Sequence, residues 1–250
     1  MAHITRIELN MIDLVPKVKR VDAIQSFVSQ ETPFVTVYDS DGASGTGYCY
    51  TIGTGGLSVM ALLEHTLAPA LIGRDPDRID GIWRDLLFIT HATAVGAITS
   101  LALAAIDTAL WDMKCKKAGQ PLWKAAGGSR ERIPLYTTEG GWLHLEHQAL
   151  VDDALAMQAK GFRGSKIKIG SEHISQDAAR LNAVRTAVGD SYEIMTDANQ
   201  GFTLSEAIRR ARMLEEYNIG WFEEPLPADD VSAHVELSRR TSVPIAVGES

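Results

Sequence analysis

The chain has 250 residues, of which 45% are apolar, 22% charged and 7% aromatic, an ordinary composition for a globular protein. Its net charge of −8 is spread along the sequence, which excludes a nucleic-acid backbone or an anionic membrane surface as the expected partner. The two cysteines, Cys49 and Cys115, stand far apart and outside any CxxC spacing, so no disulfide framework is expected and a reducing, cytoplasmic setting is.

The N-terminus alternates apolar and polar residues like a strand and lacks the charged and apolar regions of a signal peptide. Ile4 to Leu9 and Pro33 to Tyr38 read as strands. Asp39-Ser-Asp-Gly42 reads as a turn, and Gly45 to Thr51 as the return strand of a hairpin. From Leu57 the period becomes helical, over Leu57 to Ile72 and Ile79 to Leu87, with Gly73-Arg-Asp-Pro76 between them. Val95 to Lys117 reads as a long helix stopped by Gly119 and Pro121. Within it, Thr99, Ser100, Asp107 and Thr108 make the apolar run too polar to span a bilayer. Gly127-Gly128 closes a small α+β unit over residues 1–128.

Residues 129–250 have another rhythm. Strand-like runs at 133–137, 162–169, 192–196, 219–222 and 243–247 alternate with helical stretches near 146–160, 175–188, 204–217 and 231–240. Such alternation predicts a parallel sheet covered by helices. The short repeat, about 25 to 30 residues, predicts a TIM-like β/α barrel. Five strands do not close an eight-stranded barrel, so the expectation is an incomplete one, truncated or interrupted after Ser250.

In the second of these strands Lys166 and Lys168 share one face, and Ile167 and Ile169 the other. The isoleucines suit the helix-covered outside, which points both lysines into the barrel. A buried lysine pair needs anions nearby, and mutual repulsion favours a neutral, basic amine on one member. Asp197, Glu223 and Glu249 end the next three strands, each 26 residues after the last. Carboxylates at matching carboxyl ends converge on the barrel mouth, and three oxygen ligands suit Mg²⁺. Lys168 is then the candidate base and Lys166 the cation beside it that meets a substrate carboxylate. Asp197, Glu223 and Glu249 are the candidate metal ligands. Together they predict removal of the α-proton of a carboxylate to a metal-stabilised enolate.

These motifs resemble the enolase superfamily, specifically the mandelate racemase-like branch of the mandelate racemase/muconate lactonizing enzyme family. The resemblance runs along essentially the whole chain. Residues 1–128 resemble its capping domain, with Ala105 to Asp112 and Pro121 to Gly128 as the joining helix, and residues 129–250 its barrel. Lys166-x-Lys168, Asp197 in DANQ, Glu223 in WFEEP and Glu249 in VGES stand at the family's base and ligand positions. Glu at the third ligand favours the racemase-like branch. The resemblance implies that Asn199 touches substrate or a metal-bound oxygen. It also implies specificity loops at Pro16 to Arg20 and Tyr50 to Gly56, and a second acid/base beyond residue 250. The implied substrate is a small hydroxycarboxylate of the sugar-acid type. The reaction is dehydration or racemisation/epimerisation, and the assembly a homo-oligomer.

Other readings remain open. A non-catalytic, metal-binding barrel fragment or subunit accounts for the missing strands. An unrelated metal-using barrel such as an aldolase shares the strand-end carboxylates but leaves the lysine pair and cap unexplained. His144 and His147 lack the HExxH context of a zinc site. Trp221 and Phe222, just before Glu223, read as barrel packing.

Overall fold

In the computed structural model, which describes residues 2–93 and 96–247, the N-terminal alternation builds three strands. β1 (Ile4–Leu14), β2 (Gln30–Asp39) and β3 (Ser44–Tyr48) form an antiparallel meander in that order. Of its inward residues Ile4, Val35 and Val37 are fully buried, and Ile7 and Leu9 are partly buried against the same core. The β2–β3 turn is organised by Asp39, whose Oδ1 accepts from Asp41 N at 3.0 Å and from Ala43 N at 2.8 Å.

A continuous helical stretch follows, from α1 (Gly56–Leu62) through a π-helical turn (Leu63–Leu67) into α2 (Ala68–Leu71). The wider turn precedes Pro69, which has no N–H with which to continue the regular ladder. Next come α3 (Ile79–Ile89), α4 (Ala97–Ala118) and the short α5 (Leu122–Ala125). α4 ends at Gly119 in the left-handed conformation, with Lys116 and Lys117 in its last turn, where cations suit the helix dipole. It lies directly on β3. A Cβ on Gly47 would come within 2.1 Å of the Ala105 carbonyl oxygen, and one on Gly45 within 2.1 Å of that of Ala109. Glycines on the strand and buried alanines at 102, 105 and 109 on the helix allow this approach.

The second region is the expected parallel sheet, in the order β4 (Tyr136–Thr137), β5 (Gly164–Lys168), β6 (Glu193–Asp197), β7 (Ile219–Glu223) and β8 (Ile245–Ala246). Helices α6 (His147–Ala159), α7 (Ile174–Val188), α8 (Leu204–Leu214) and α9 (Val231–Ser238) connect the strands. Ile167, Ile169, Ile194 and Phe222 from the sheet join Leu150, Leu181, Val184, Leu214 and Leu237 from the helices in one core. β4 and β8 are shorter than the runs expected for them, and each has one neighbouring strand among the described residues.

The chain divides into two compact units. The first holds Met1–Lys17 and Phe27–Glu131, and the second Val18–Ser26 and Arg132–Ser250. Val18–Ser26 thus belongs with the parallel sheet although it lies between β1 and β2 in sequence. Among the described residues, no helix is long and apolar enough to cross a membrane.

Candidate active site

The register of the parallel sheet sets the site. Lys168 on β5 pairs with Asp197 on β6, and Asp197 pairs with Glu223 on β7, so three charged residues form one row across three adjacent strands. They lie at the carboxyl ends of their strands, the face where side chains can converge without helices in the way.

All five residues of β5 are buried. Ile167 faces the helices, while Lys166 and Lys168, each 7% exposed, face the opposite side. The Lys166 ammonium donates to Glu223 Oε1 at 2.5 Å and lies 3.0 Å from Asp197 Oδ2. Lys168 donates to Asp197 Oδ2 at 2.7 Å and to Asn199 Oδ1 at 2.8 Å. Asp197 is wholly buried, and its Oδ1 accepts from the Asn199 backbone N–H at 2.9 Å.

At Lys166 and Asp197 neighbouring charge outweighs burial. Burial works against the Lys166 ammonium, but Asp197 and Glu223 outweigh it and hold its pKa above the ordinary lysine value. Burial likewise works against the Asp197 carboxylate, and Lys168 and Lys166 outweigh it, so Asp197 titrates below the usual range. Lys166 is a fixed cation and Asp197 a fixed anion.

Trp221 corrects the sequence reading. Its indole Nε1 donates to Glu223 Oε2 at 2.8 Å, so it orients a carboxylate rather than merely packing. Two residues apart on one strand, the pair shares a face. Phe222 between them is buried in the core, as expected.

The loops beyond β6 and β7 are locked to each other. Ala198 N donates to Glu223 O at 3.0 Å and Gln200 N to Glu224 O at 2.7 Å. Asn199, Gln200 and Glu224 all take positive φ values, 44°, 65° and 41°. Left-handed backbone at non-glycine residues is strained, and such strain persists where the surroundings over-determine it, characteristically at functional sites. Behind these loops the buried Arg210 pairs with Asp177 and donates to Ser171 O at 2.9 Å, while Asp177 accepts from Gly170 N at 2.9 Å.

The other predicted residues fall as follows. Glu249 lies outside the described residues. Arg20, in the first candidate loop, pairs with Glu139 at 2.9 Å. The glycine-rich second loop is tethered by Glu31, whose Oε2 accepts from Thr51 Oγ1 at 2.7 Å and from Gly56 N at 2.9 Å. Among the described residues no three His, Cys, Asp or Glu side chains come together as a metal-binding group. Asp197 and Glu223 form a pair.

Comparison with known proteins now decides the family. Residues 7–127 match the mandelate racemase/muconate lactonizing enzyme N-terminal domain, and residues 149–250 the enolase C-terminal domain-like family. A racemase from Streptomyces coelicolor, solved with bound magnesium, superposes with a TM-score of 0.93 at 34% identity, over 98% of this chain and 69% of that one. The chain belongs to the mandelate racemase/muconate lactonizing enzyme family of the enolase superfamily.

Within this family the chain is 38% identical over 209 residues to L-talarate/galactarate dehydratase of Salmonella typhimurium, covering 84% of this chain and 52% of the relative. The structure of that enzyme liganded with Mg and L-lyxarohydroxamate superposes with a TM-score of 0.92 at 33% identity, over 99% of this chain and 65% of that one. This chain is also 38% identical over 217 residues to 3,6-anhydro-alpha-L-galactonate cycloisomerase of Streptomyces coelicolor, covering 86% of this chain and 60% of the relative. The chain thus spans between half and two thirds of the length of these curated enolase-superfamily relatives.

Proposed function

We propose that this chain carries the proton-abstracting half of a Mg²⁺-dependent lyase or isomerase acting on a sugar acid. The observation that supports it best is the row of Lys168, Asp197 and Glu223 across adjacent strands, with Lys166 bonded to both carboxylates.

The donor set fits a hard divalent cation. Asp197 and Glu223 present carboxylate oxygens to one point, where they already hold the positive charge of Lys166, and Asp197 is kept ionised. These two, with Glu249 as third, are the residues that would hold Mg²⁺. Bound there, Mg²⁺ supplies Lewis-acid neutralisation of charge that develops on the substrate carboxylate.

The chain's own residues account for the rest. Lys166, fixed as a cation, attracts the substrate carboxylate and stabilises added negative charge on it. Lys168, in its neutral form, takes the α-proton, and the ammonium so formed is held by Asp197 and Asn199 Oδ1. Asn199 orients Lys168, and its amide nitrogen is the end that meets a substrate oxygen. Trp221 keeps Glu223 aimed at the site through the bond to Oε2.

The relatives include a dehydratase, a cycloisomerase and an N-succinyl-L-Arg/Lys racemase. Removal of an α-proton is the step that these reactions can share, and it is the step assigned to this chain's lysines. The sugar-acid class is supported by the names of two relatives, L-talarate/galactarate dehydratase and arabinonate dehydratase, the latter 34% identical over 208 residues.

The test is incubation of the purified protein with galactarate, talarate and a panel of aldonic acids in D₂O, with Mg²⁺ or with EDTA. The expected result is deuterium at the α-carbon or a keto-deoxy acid product from at least one acid, lost with EDTA and restored by Mg²⁺. Neither exchange nor turnover with any acid would contradict the proposal.

A further inference from the structure

We propose that Trp142 is a positioning residue for Lys168, resting on the reading of Lys168 as the base. The indole ring lies near two cations. Its centroid lies 5.3 Å from Lys168 Nζ and 6.0 Å from the Arg20 guanidinium carbon. An indole face attracts an ammonium through its quadrupole more strongly than any other side-chain ring does. It offers no lone pair that competes for the ammonium protons, so it can hold the charged lysine in place without binding its proton.

Lys168 needs such a wall. Its ammonium sits on a flexible four-carbon stem. Asp197 Oδ2 and Asn199 Oδ1 hold the nitrogen by directional bonds, and the ring of Trp142 adds a third contact. With the ring gone, the stem can swing and the Lys168 nitrogen leaves the place from which it meets a substrate.

The ring is itself firmly mounted. Trp142 is 7% exposed. The buried Arg180 on α7 donates to its carbonyl at 3.0 Å and to that of Leu145 at 2.6 Å. Leu143 N donates to Val21 O at 2.9 Å, which ties this loop to Val18–Ser26. On the other side, Gly141 lies so close to β5 that a Cβ there would be 1.9 Å from the Lys166 carbonyl oxygen. Arg20 is steadied by Glu139 at 2.9 Å. The β4 loop, the segment Val18–Ser26 and the strand bearing both lysines therefore meet at one indole.

The test compares Trp142→Phe, Trp142→Leu and Lys168→Met by crystal structure, Mg²⁺ titration and α-proton exchange on the acid panel described above. In Trp142→Leu, Lys168 Nζ is expected to leave hydrogen-bonding distance of Asn199 Oδ1, and kcat to fall on the order of 100-fold. KM and Mg²⁺ affinity are expected to stay as in the parent protein. Trp142→Phe, which keeps a ring, is expected to recover most of the rate. Should Trp142→Leu not fold, Trp142→Met keeps apolar length without a ring and serves in its place. An unmoved Lys168 in the ringless variant, or equal impairment of the Phe and Leu variants, would overturn the proposal. Exchange by Lys168→Met at the parental rate would instead sink the base assignment, while the side-chain positions would still decide the role of Trp142.

Discussion

Lys168 donates to the Asp197 carboxylate at 2.7 Å, so the residue assigned as base and the residue assigned as metal ligand share one hydrogen bond. Lys166 lies 3.0 Å from the same carboxylate oxygen. Asp197→Asn therefore removes the carboxylate that both buried ammonium groups share and leaves, among the described residues, Glu223 bonded to Lys166. Removing one partner of a buried ion pair costs about 3–5 kcal/mol. The expected outcome is a loss of that size in urea unfolding of the metal-free protein, together with loss of Mg²⁺ binding by calorimetry.

Trp221→Phe is milder and more selective. It keeps the aromatic volume and removes the bond to Glu223 Oε2. Groups that orient a ligand typically contribute 10–100-fold to metal affinity or activity. A Mg²⁺ titration should show weakening of about that order with unfolding little changed. A purely packing role for Trp221 predicts unaltered affinity.

How much of this was legible in the sequence depended on the range of the contacts involved. The lysine face of β5 and the carboxylates ending β6 and β7 follow from a period of two and from strand–helix alternation, both local signals. The bond from Trp221 to Glu223 obeyed the same period, yet an aromatic at a strand end reads first as packing. The placement of Trp142 was not legible. β4 is two residues long, and its loop is held by Arg180, 38 residues further on, and by Val21 from a segment that precedes β2. No local pattern records a carbonyl met by a distant guanidinium. The π turn before Pro69 was hidden because apolar spacing alone reads it as ordinary helix.

In the first unit the contact of β3 with α4 carries a sharp stability prediction. A Cβ on Gly47 would fall 2.1 Å from the Ala105 carbonyl oxygen and 2.6 Å from Ala109 N, both backbone atoms that cannot swing aside. Gly47→Ala is expected to destabilise the fold by about 1–3 kcal/mol through overpacking. Gly42→Ala is the contrast, since its Cβ meets nothing within 4 Å and its difficulty is backbone strain at φ 85°. Urea unfolding of both separates a clash from strain. A Gly47→Ala protein as stable as the parent would mean that helix and strand do not approach this closely.

Asp39 gives a pH dependence with a definite sign. Burial pushes its carboxyl up, but the Lys117 ammonium at 3.0 Å and the N–H groups of Ala43 and Asp41 outweigh this and hold it below the ordinary carboxylate value. A carboxyl depressed in the folded state stabilises above its unfolded pKa, about 3.9, and this contribution fades as pH falls through the folded value. Asp39→Asn keeps an oxygen for the turn and loses the ion pair. It should lower stability at pH 7 by about 1 kcal/mol. The gap to the parent should close as the pH is taken below about 4. A gap constant with pH would show that the carboxylate charge has no part in it.

The central claim is that Lys168 removes a proton from the carbon beside a sugar-acid carboxylate. Release of tritium into water from an α-tritiated sugar acid reports that bond cleavage whatever the later fate of the product. With Mg²⁺ present, the protein is expected to release tritium, and Lys168→Met to do so about 10²- to 10⁴-fold more slowly. Release by Lys168→Met at the parental rate would contradict it.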